Sequence, residues 1–156
     1  MSETAEEYGP FPPSPEFSQQ AVGQKSLYEE ADADREAFWA KQARERLTWA
    51  KDFDEVLDWS EAPVAKWFVG GELNVAYNCA DRHVEAGNGD RVALHFVGEP
   101  GDERDITYAE LTELVQKAAG ALKAAGVEKG DRVALYLPMI PEAVISMLAC
   151  ARIGAV

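Results

Sequence analysis

The sequence predicts an α/β fold in which helices cover a layered sheet. Three observations lead to this prediction. Strand and helix patterns alternate from residue 91 to residue 153, residues 26–88 have a mainly helical pattern, and 47% of the 156 residues are hydrophobic, which suffices for one core. We therefore expect a helical N-terminal region, then a β-hairpin, then a βαβα layered-sheet segment.

The charge and the cysteine content argue against several classes of protein. Acidic residues number 28 against 15 basic ones, a formal charge of −13, whereas proteins that bind nucleic acid or anionic membranes carry basic surfaces. No apolar run approaches the ~20 residues that span a bilayer, and the acidic start lacks the pattern of a secretory signal. Cys79 and Cys150 are too few for a disulfide framework, although one bridge between them remains an alternative. We expect a cytoplasmic protein with no nucleic-acid or membrane partner.

Residues 1–25 are predicted to be a flexible tail that is rich in proline and acidic residues. Pro10, Pro12, Pro13 and Pro15 interrupt any helix there. The spacing of Pro10 and Pro13 also fits a ligand of an aromatic groove. No basic residue flanks this pair, so a solvated arm is the favoured interpretation.

The second predicted region, residues 26–88, is helical. Ser26 is placed to cap a first helix. The apolar side of this helix recurs at helical spacing, at Trp39, Ala43, Leu47 and Ala50. A second helix is predicted for 74–86 and ends before Gly87.

Between these two helices, the sequence predicts a loop that buried aromatic rings hold against the body. Trp67 and Phe68 stand beside the pair Gly70 and Gly71, a combination typical of such a loop.

The third predicted region, residues 89–156, is the truncated first part of a larger α/β domain. Residues 91–97 and 105–107 are predicted to pair as a hairpin. Thr107 and Glu110 form a capping box that opens a helix. The apolar face of that helix recurs at helical spacing, at Leu111, Leu114, Val115, Ala118, Leu122 and Ala125, and Gly126 ends it.

The last two predicted elements are a strand and a buried helix. Residues 132–137 are nearly all apolar, which suits a strand that is covered on both faces. Pro141 fits the first position of a helix that runs to Ile153 and is apolar almost all round. A third strand should begin at residues 154–156. We therefore expect this chain to be an N-terminal piece of a longer protein, with an exposed apolar sheet face.

The residues alone predict no active site. Phosphate-binding, dinucleotide-binding and nucleophile-elbow motifs are missing from the sequence. Cys79 and His83, with Asp81 nearby, fit half a metal site or a Cys–His pair. A structural metal site needs four ligands, so a packed cysteine and a hydrogen-bonded histidine are the favoured interpretation. His95 has no carboxylate near it in the sequence and is interpreted as an ordinary strand residue.

One acidic cluster also needs an interpretation. It comprises Asp52, Asp54, Glu55 and Asp58. Charges so close together favour a solvated turn over a cation site.

Several motifs resemble those of the acyl-adenylate-forming superfamily. Residues 106–111 (Ile-Thr-Tyr-Ala-Glu-Leu), 126–133 (Gly-Val-Glu-Lys-Gly-Asp-Arg-Val) and 148–156 (Leu-Ala-Cys-Ala-Arg-Ile-Gly-Ala-Val) are similar to motifs of the whole superfamily. Residues 67–74 (Trp-Phe-Val-Gly-Gly-Glu-Leu-Asn) and 78–83 (Asn-Cys-Ala-Asp-Arg-His) resemble a more specific stretch of the short-chain acyl-CoA synthetases. The combination points to the N-terminal portion of an AMP-forming acetate–CoA ligase.

The resemblance implies a two-step reaction for the complete enzyme. Acetate and ATP, with Mg²⁺, would give acetyl-AMP and pyrophosphate, and CoA would then take the acetyl group and release AMP. The family's catalytic and ligand-binding residues lie beyond position 156. The resemblance therefore implies that this chain has no catalytic, cofactor-binding or metal-binding residue, is inactive alone, and has the remainder of its own chain as its partner.

The resemblance also changes the interpretation of residues 79–83. Asp81 and Arg82 are expected to form a buried structural pair, with Cys79 and His83 fixing the adjacent loop. Two alternatives stay open for the whole protein. One is a ligase for propionate or another short-chain acid, and the other is a non-enzymatic module whose Pro-rich arm and acidic helix recruit partners.

Overall fold

The computed structural model describes residues 11–156, which divide into two compact units, one ending at Gln42 and the other comprising Ala43–Val156. The helices are α1 (Pro15–Gln20), α2 (Lys25–Ala33), α3 (Arg35–Arg46), α4 (Tyr108–Ala124) and α5 (Pro141–Ile153). The strands are β1 (Glu55–Asp58), β2 (Lys66–Val69), β3 (Val92–Val97) and β4 (Glu103–Thr107). Two π-helical segments, Tyr77–Asp81 and Val84–Asn88, lie between β2 and β3. The predicted α/β class is confirmed.

A short helix forms inside the segment predicted to be a tail. Pro15 is the first residue of α1, a position where proline costs no hydrogen bond, and the Ser14 hydroxyl caps the first turn. The prediction that these prolines interrupt any helix is therefore wrong for Pro15. Pro12 and Pro13 precede the helix without regular structure, and Pro10 lies outside the described residues.

The single helix predicted from Ser26 is two helices. α2 begins at Lys25, so Gln24 and not Ser26 is its cap residue. Asp34 leaves the helical conformation, with φ −153°. Its carboxylate accepts a hydrogen bond from the Ala37 N–H at 2.9 Å, which caps the start of α3.

A second hairpin lies between the two predicted helices, and the first of these helices ends earlier than predicted. α3 ends before Leu47 and Ala50, and β1 then pairs with β2 in an antiparallel sheet. Trp67 and Phe68 of the predicted loop belong to β2. Each strand has four residues, too few for an alternating pattern to show in the sequence. Pairing between the strands decides the structure here.

The helix predicted for 74–86 is confirmed as helical, but most of it has π-helical turns. Gly87 adopts φ +80° inside the second π-helical segment, so it marks a kink and not a clean end.

The hairpin of β3 and β4 and the following helix agree with the prediction. β3 and β4 pair antiparallel. The Glu110 N–H donates to the Thr107 hydroxyl at 3.2 Å, and the Thr107 N–H donates to the Glu110 carboxylate at 2.8 Å, which completes the capping box. Gly126 follows the end of α4 with φ +89°.

The core of the second unit joins the first π-helical segment, β4, α4 and α5. Its buried members are Ala80, Ile106, Leu111, Val115 and Ile145.

The strand predicted for 132–137 is wrong. Val133 donates a hydrogen bond to the Val156 carbonyl at 2.8 Å, and the Val156 N–H donates to the Asp131 carbonyl at 2.7 Å, but no further ladder forms among the described residues. Tyr136 is fully exposed. A strand needs a neighbour along its length, and among residues 11–156 only Val156 forms strand-like backbone hydrogen bonds with this segment. The described part of the chain therefore holds two antiparallel sheets and not the expected parallel layer.

α5 begins at Pro141, as predicted. It buries Ile145, Ala149 and Cys150, whereas Met147 is 54% exposed, so the helix is not buried all round.

Candidate functional site

The structure separates the residues that the sequence offered as a metal or nucleophile site. Cys79 is exposed and carries a free thiol, while the His83 ring lies on the Tyr108 ring with centroids 4.7 Å apart. The Asp81 carboxylate instead pairs with Arg152. Cys150 is free and buried, so the two cysteines form no bridge. No group of three His, Cys, Asp or Glu side chains able to hold a metal ion occurs within residues 11–156.

His95 is a residue of strand β3, as predicted, and a carboxylate that is distant in the sequence meets it across the hairpin. Asp105 lies directly opposite it in the β3–β4 register, and their side chains meet at 2.6 Å (Nδ1 to Oδ1). Both side chains are exposed, so the pair is a surface contact between strands. Strand register, and not sequence distance, brings them together.

Carboxylates of the acidic cluster at residues 52–58 pair with different residues and do not share one partner. Arg44 pairs with Asp52 at 2.9 Å, and Lys51 pairs with Asp54 at 3.3 Å. Ser60 donates hydrogen bonds that lower the pKa of Asp58. These carboxylates contact different partners, but the predicted turn is wrong for Glu55 and Asp58, which belong to strand β1.

A largely buried ion pair joins two distant parts of the second unit. Arg152, in the last turn of α5, donates from Nη2 to the Asp81 carboxylate at 2.5 Å. The side chains are only 23% and 15% exposed, respectively. The predicted pairing of Asp81 with Arg82 is therefore wrong, because the partner lies 71 residues away.

Arg82 caps the end of α3. Its Nη1 donates to the Arg46 carbonyl at 2.6 Å and to the Asn78 side-chain oxygen at 3.3 Å. A cation at this place donates to a carbonyl of the last helical turn, where positive charge is favourable.

Asn74 holds the end of α5 through the backbone. Its side-chain nitrogen donates to the carbonyls of Ala151 and Arg152, at 3.3 and 3.1 Å, while its side-chain oxygen accepts from the Tyr77 N–H. Arg152 is thus bound through both its side chain and its backbone. We call Asn74, Asp81 and Arg152 the Arg152 network.

Arg152 lines three cavities of the second unit, two of them larger than the third. One, of about 600 Å³, lies between the C-terminal ends of α4 and α5 and is lined in part by Lys123 and Lys129. The second, of about 490 Å³, is lined by Asn74, Tyr77 and residues 48–50. Lys123 and Arg152 stand in the last turns of α4 and α5, where basic side chains stabilise helix carbonyls. Glu128 also lines the first cavity, and the hydroxyl-bearing residues Thr48 and Tyr77 line the second, so both cavities hold polar groups besides Arg152.

An aromatic cluster supports the same unit. Trp49, Phe53 and Phe68 pack with ring centroids 5.0–5.7 Å apart. Phe68 has φ +53°, a conformation that costs a residue with a side chain about 1–2 kcal/mol. Gly71 lies against this cluster, since an added Cβ would stand 2.7 Å from the Trp49 ring.

Two family models match the chain in succession. "Acetyl-coenzyme A synthetase N-terminus" matches residues 24–79, and "AMP-binding enzyme" matches residues 81–156. The chain is also similar along nearly its whole length to proteins named acetyl-coenzyme A synthetase. The protein of Mycobacterium bovis is 64% identical over 99% of this chain.

The chain belongs to the acetyl-coenzyme A synthetase family. Two further relatives carry that name. Those of Streptomyces avermitilis and Rubrobacter xylanophilus are 65% and 50% identical over 93% and 99% of this chain. The chain spans only 22–24% of the length of these relatives, and is thus an N-terminal fragment by comparison with them. Among the described residues, no helix is long and apolar enough to cross a membrane.

In this family member, sequence reasoning missed the Arg152 network. The sequence offers no signal for it, because Asn74 and Asp81 lie more than 70 residues from Arg152 and no motif links them. Only the packing of both α5 and the first π-helical segment against α4 brings these side chains together.

Proposed function

We propose that the complete protein carrying this chain is an AMP-forming acetate–CoA ligase. It would join acetate and ATP to acetyl-AMP and pyrophosphate, and would then transfer the acetyl group to CoA with release of AMP. The observation that carries this proposal is the 64% identity, over 99% of the chain, to a protein named acetyl-coenzyme A synthetase. Both family models support it.

We propose that residues 11–156 act in this reaction as scaffold. Three polar side chains of the second unit make structural contacts. Arg82 donates to the end of α3, Asn74 donates to the end of α5, and Asp81 pairs with Arg152. The catalytic, nucleotide-binding and CoA-binding groups would then belong to the remainder of the chain, which is also the proposed partner of the exposed segment 132–137.

The proposed cofactors follow from the proposed chemistry. Mg²⁺ would enter with ATP and screen its phosphates, and CoA would supply the attacking thiolate. Residues 11–156 hold no cluster suited to a metal ion, so we assign none of them to Mg²⁺. A cytoplasmic location fits this substrate set.

The domain arrangement that we propose follows the three predicted regions. Residues 1–25 precede the enzyme body, residues 26–88 form its N-terminal region, and residues 89–156 begin the adenylate-forming domain.

Acetate-dependent exchange of labelled pyrophosphate into ATP tests the first step. The complete protein is expected to catalyse this exchange with Mg²⁺, and to form acetyl-CoA when CoA is added. Propionate is the matched control substrate, and the chain of 156 residues alone is the control protein, which is expected to be inactive. Exchange that is faster with propionate would shift the assignment to that acid. A complete protein that activates neither acid would overturn the proposal in favour of a non-enzymatic role.

A further inference from the structure

We propose that Arg152 is a positioning residue of the complete enzyme, which sets the place of the chain that continues beyond Val156. This inference rests on the proposed function for its kinetic consequence. Its structural part stands on the contacts of the second unit alone.

Arg152 is bound from two sides to one segment. Its side chain bonds to Asp81 at 2.5 Å, and its carbonyl accepts from the Asn74 side chain at 3.1 Å. Both contacts come from the helical segment at residues 74–81. The end of α5 can therefore neither rotate nor slide along that segment without breaking one of them.

A short segment links Arg152 to Val156, which forms backbone hydrogen bonds with Asp131 and Val133. Gly154 turns the chain in the left-handed conformation, with φ +77°, and its carbonyl accepts from the Gly130 N–H at 2.9 Å. Two residues later, Val156 bonds to Asp131 and Val133 in the pattern of parallel strands. The chain from Arg152 to Val156 has little freedom between these points, so a shift of Arg152 displaces the parallel pair.

A buried ion pair stabilises a protein weakly, because desolvation offsets the attraction between the charges. Here the Arg152 Nε is also buried with no hydrogen-bond partner among the described residues, which adds a further penalty. The Asp81–Arg152 pair therefore orients the end of α5 more than it stabilises the fold.

In α/β sheets, ligands bind beyond the carboxyl ends of parallel strands. In the complete protein, the parallel bonding of Val156 to Asp131 and Val133 would start one such strand and so set the position of its carboxyl end. An error there of about 1 Å can cost on the order of 100-fold in rate.

The test uses the complete protein with two variants. Asp81→Leu combined with Arg152→Met replaces the ion pair by apolar groups of similar size, which is expected to preserve stability. Arg152→Lys keeps the charge but removes the guanidinium fork. The matched control is Glu113→Gln combined with Lys117→Gln, which removes an exposed ion pair within α4.

We expect the Arg152 variants to bind substrate less well while their stability is unchanged. The melting temperatures of both Arg152 variants should stay within about 2 °C of the parent. The KM for at least one of acetate, ATP and CoA should rise about tenfold, while the control pair changes neither quantity. Values of kcat and all three KM within about twofold of the parent would overturn the inference, as would activity that falls only in proportion to folded protein.

Amide hydrogen exchange provides a readout that needs no activity. In the complete protein, the Val133 and Val156 amides should exchange about tenfold faster in the Arg152 variants than in the control. Should the parent fail to activate acetate, the proposed function falls while this measurement still decides the structural inference. Unchanged exchange at both amides would overturn it.

Discussion

The side-chain amide of Asn78 pairs with the backbone of Thr48 in both directions. Its oxygen accepts from the Thr48 N–H at 2.8 Å, and its nitrogen donates to the Thr48 carbonyl at 2.9 Å. Asn78 is only 8% exposed, and no other polar residue among those described is as buried. The Asn78 side chain thus gives the backbone after α3 the donor and the acceptor that a paired strand would give.

Replacement of Asn78 should therefore be costly. Asn78→Ala leaves two backbone groups of Thr48 without partners, and we expect a loss of about 2 to 3 kcal/mol in the free energy of unfolding. Urea denaturation measures this loss. Gln116→Ala, on the exposed side of α4, is the control and should stay within about 0.5 kcal/mol. A loss that small for Asn78→Ala would contradict the assigned role.

The two neighbours Asp81 and Arg82 should differ in their contribution to stability. Removal of Asp81 strands the Arg152 charge, so Asp81→Ala should cost about 3 kcal/mol. Arg82 only donates hydrogen bonds near the surface, so Arg82→Ala should cost about 1 kcal/mol. Chemical denaturation of both variants under one set of conditions checks the order. The reverse order would restore the pairing that the sequence suggested.

Two glycines should respond to alanine with opposite signs. Gly71→Ala places a Cβ 2.7 Å from the Trp49 ring and 3.0 Å from the Phe68 carbonyl, and overpacking of this kind costs about 1 to 3 kcal/mol. Gly120 lies within α4 with nothing within 4 Å of an added Cβ, so Gly120→Ala should stabilise by about 0.5 to 1 kcal/mol. Thermal unfolding distinguishes them, and equal shifts would refute the difference in packing.

The capping box should make stability depend on pH. Hydrogen bonds from Thr107 lower the pKa of Glu110 from its ordinary value of 4.5. The unfolded chain therefore binds this proton first as pH falls. The stabilisation is present above pH 4.5 and is lost as pH falls through the lower, folded pKa. Unfolding free energies measured from pH 6 to pH 3 should decrease less steeply for Glu110→Gln than for the parent. Parallel curves would argue against this contribution.

Local patterns were sufficient to predict the hairpin of β3 and β4 and the two helices α4 and α5. The capping box at Thr107 and the proline at position 141 act within one turn of the backbone, so neighbouring residues settle them. The motifs at 67–83 and 106–156 also indicated the family, which the comparisons confirm.

The tertiary structure decided what depends on distant partners. β1 and β2 are too short to show a pattern and form because they pair with each other, whereas residues 132–137 have the composition of a strand but too few neighbours to become one. Likewise, Asp81 pairs with Arg152 and not with the adjacent Arg82, because packing of α5 places the Arg152 guanidinium within reach of its carboxylate. The sequence by itself determined the elements whose hydrogen bonds close locally. Contacts between residues far apart in the chain determined the rest, since only folding brings their atoms together.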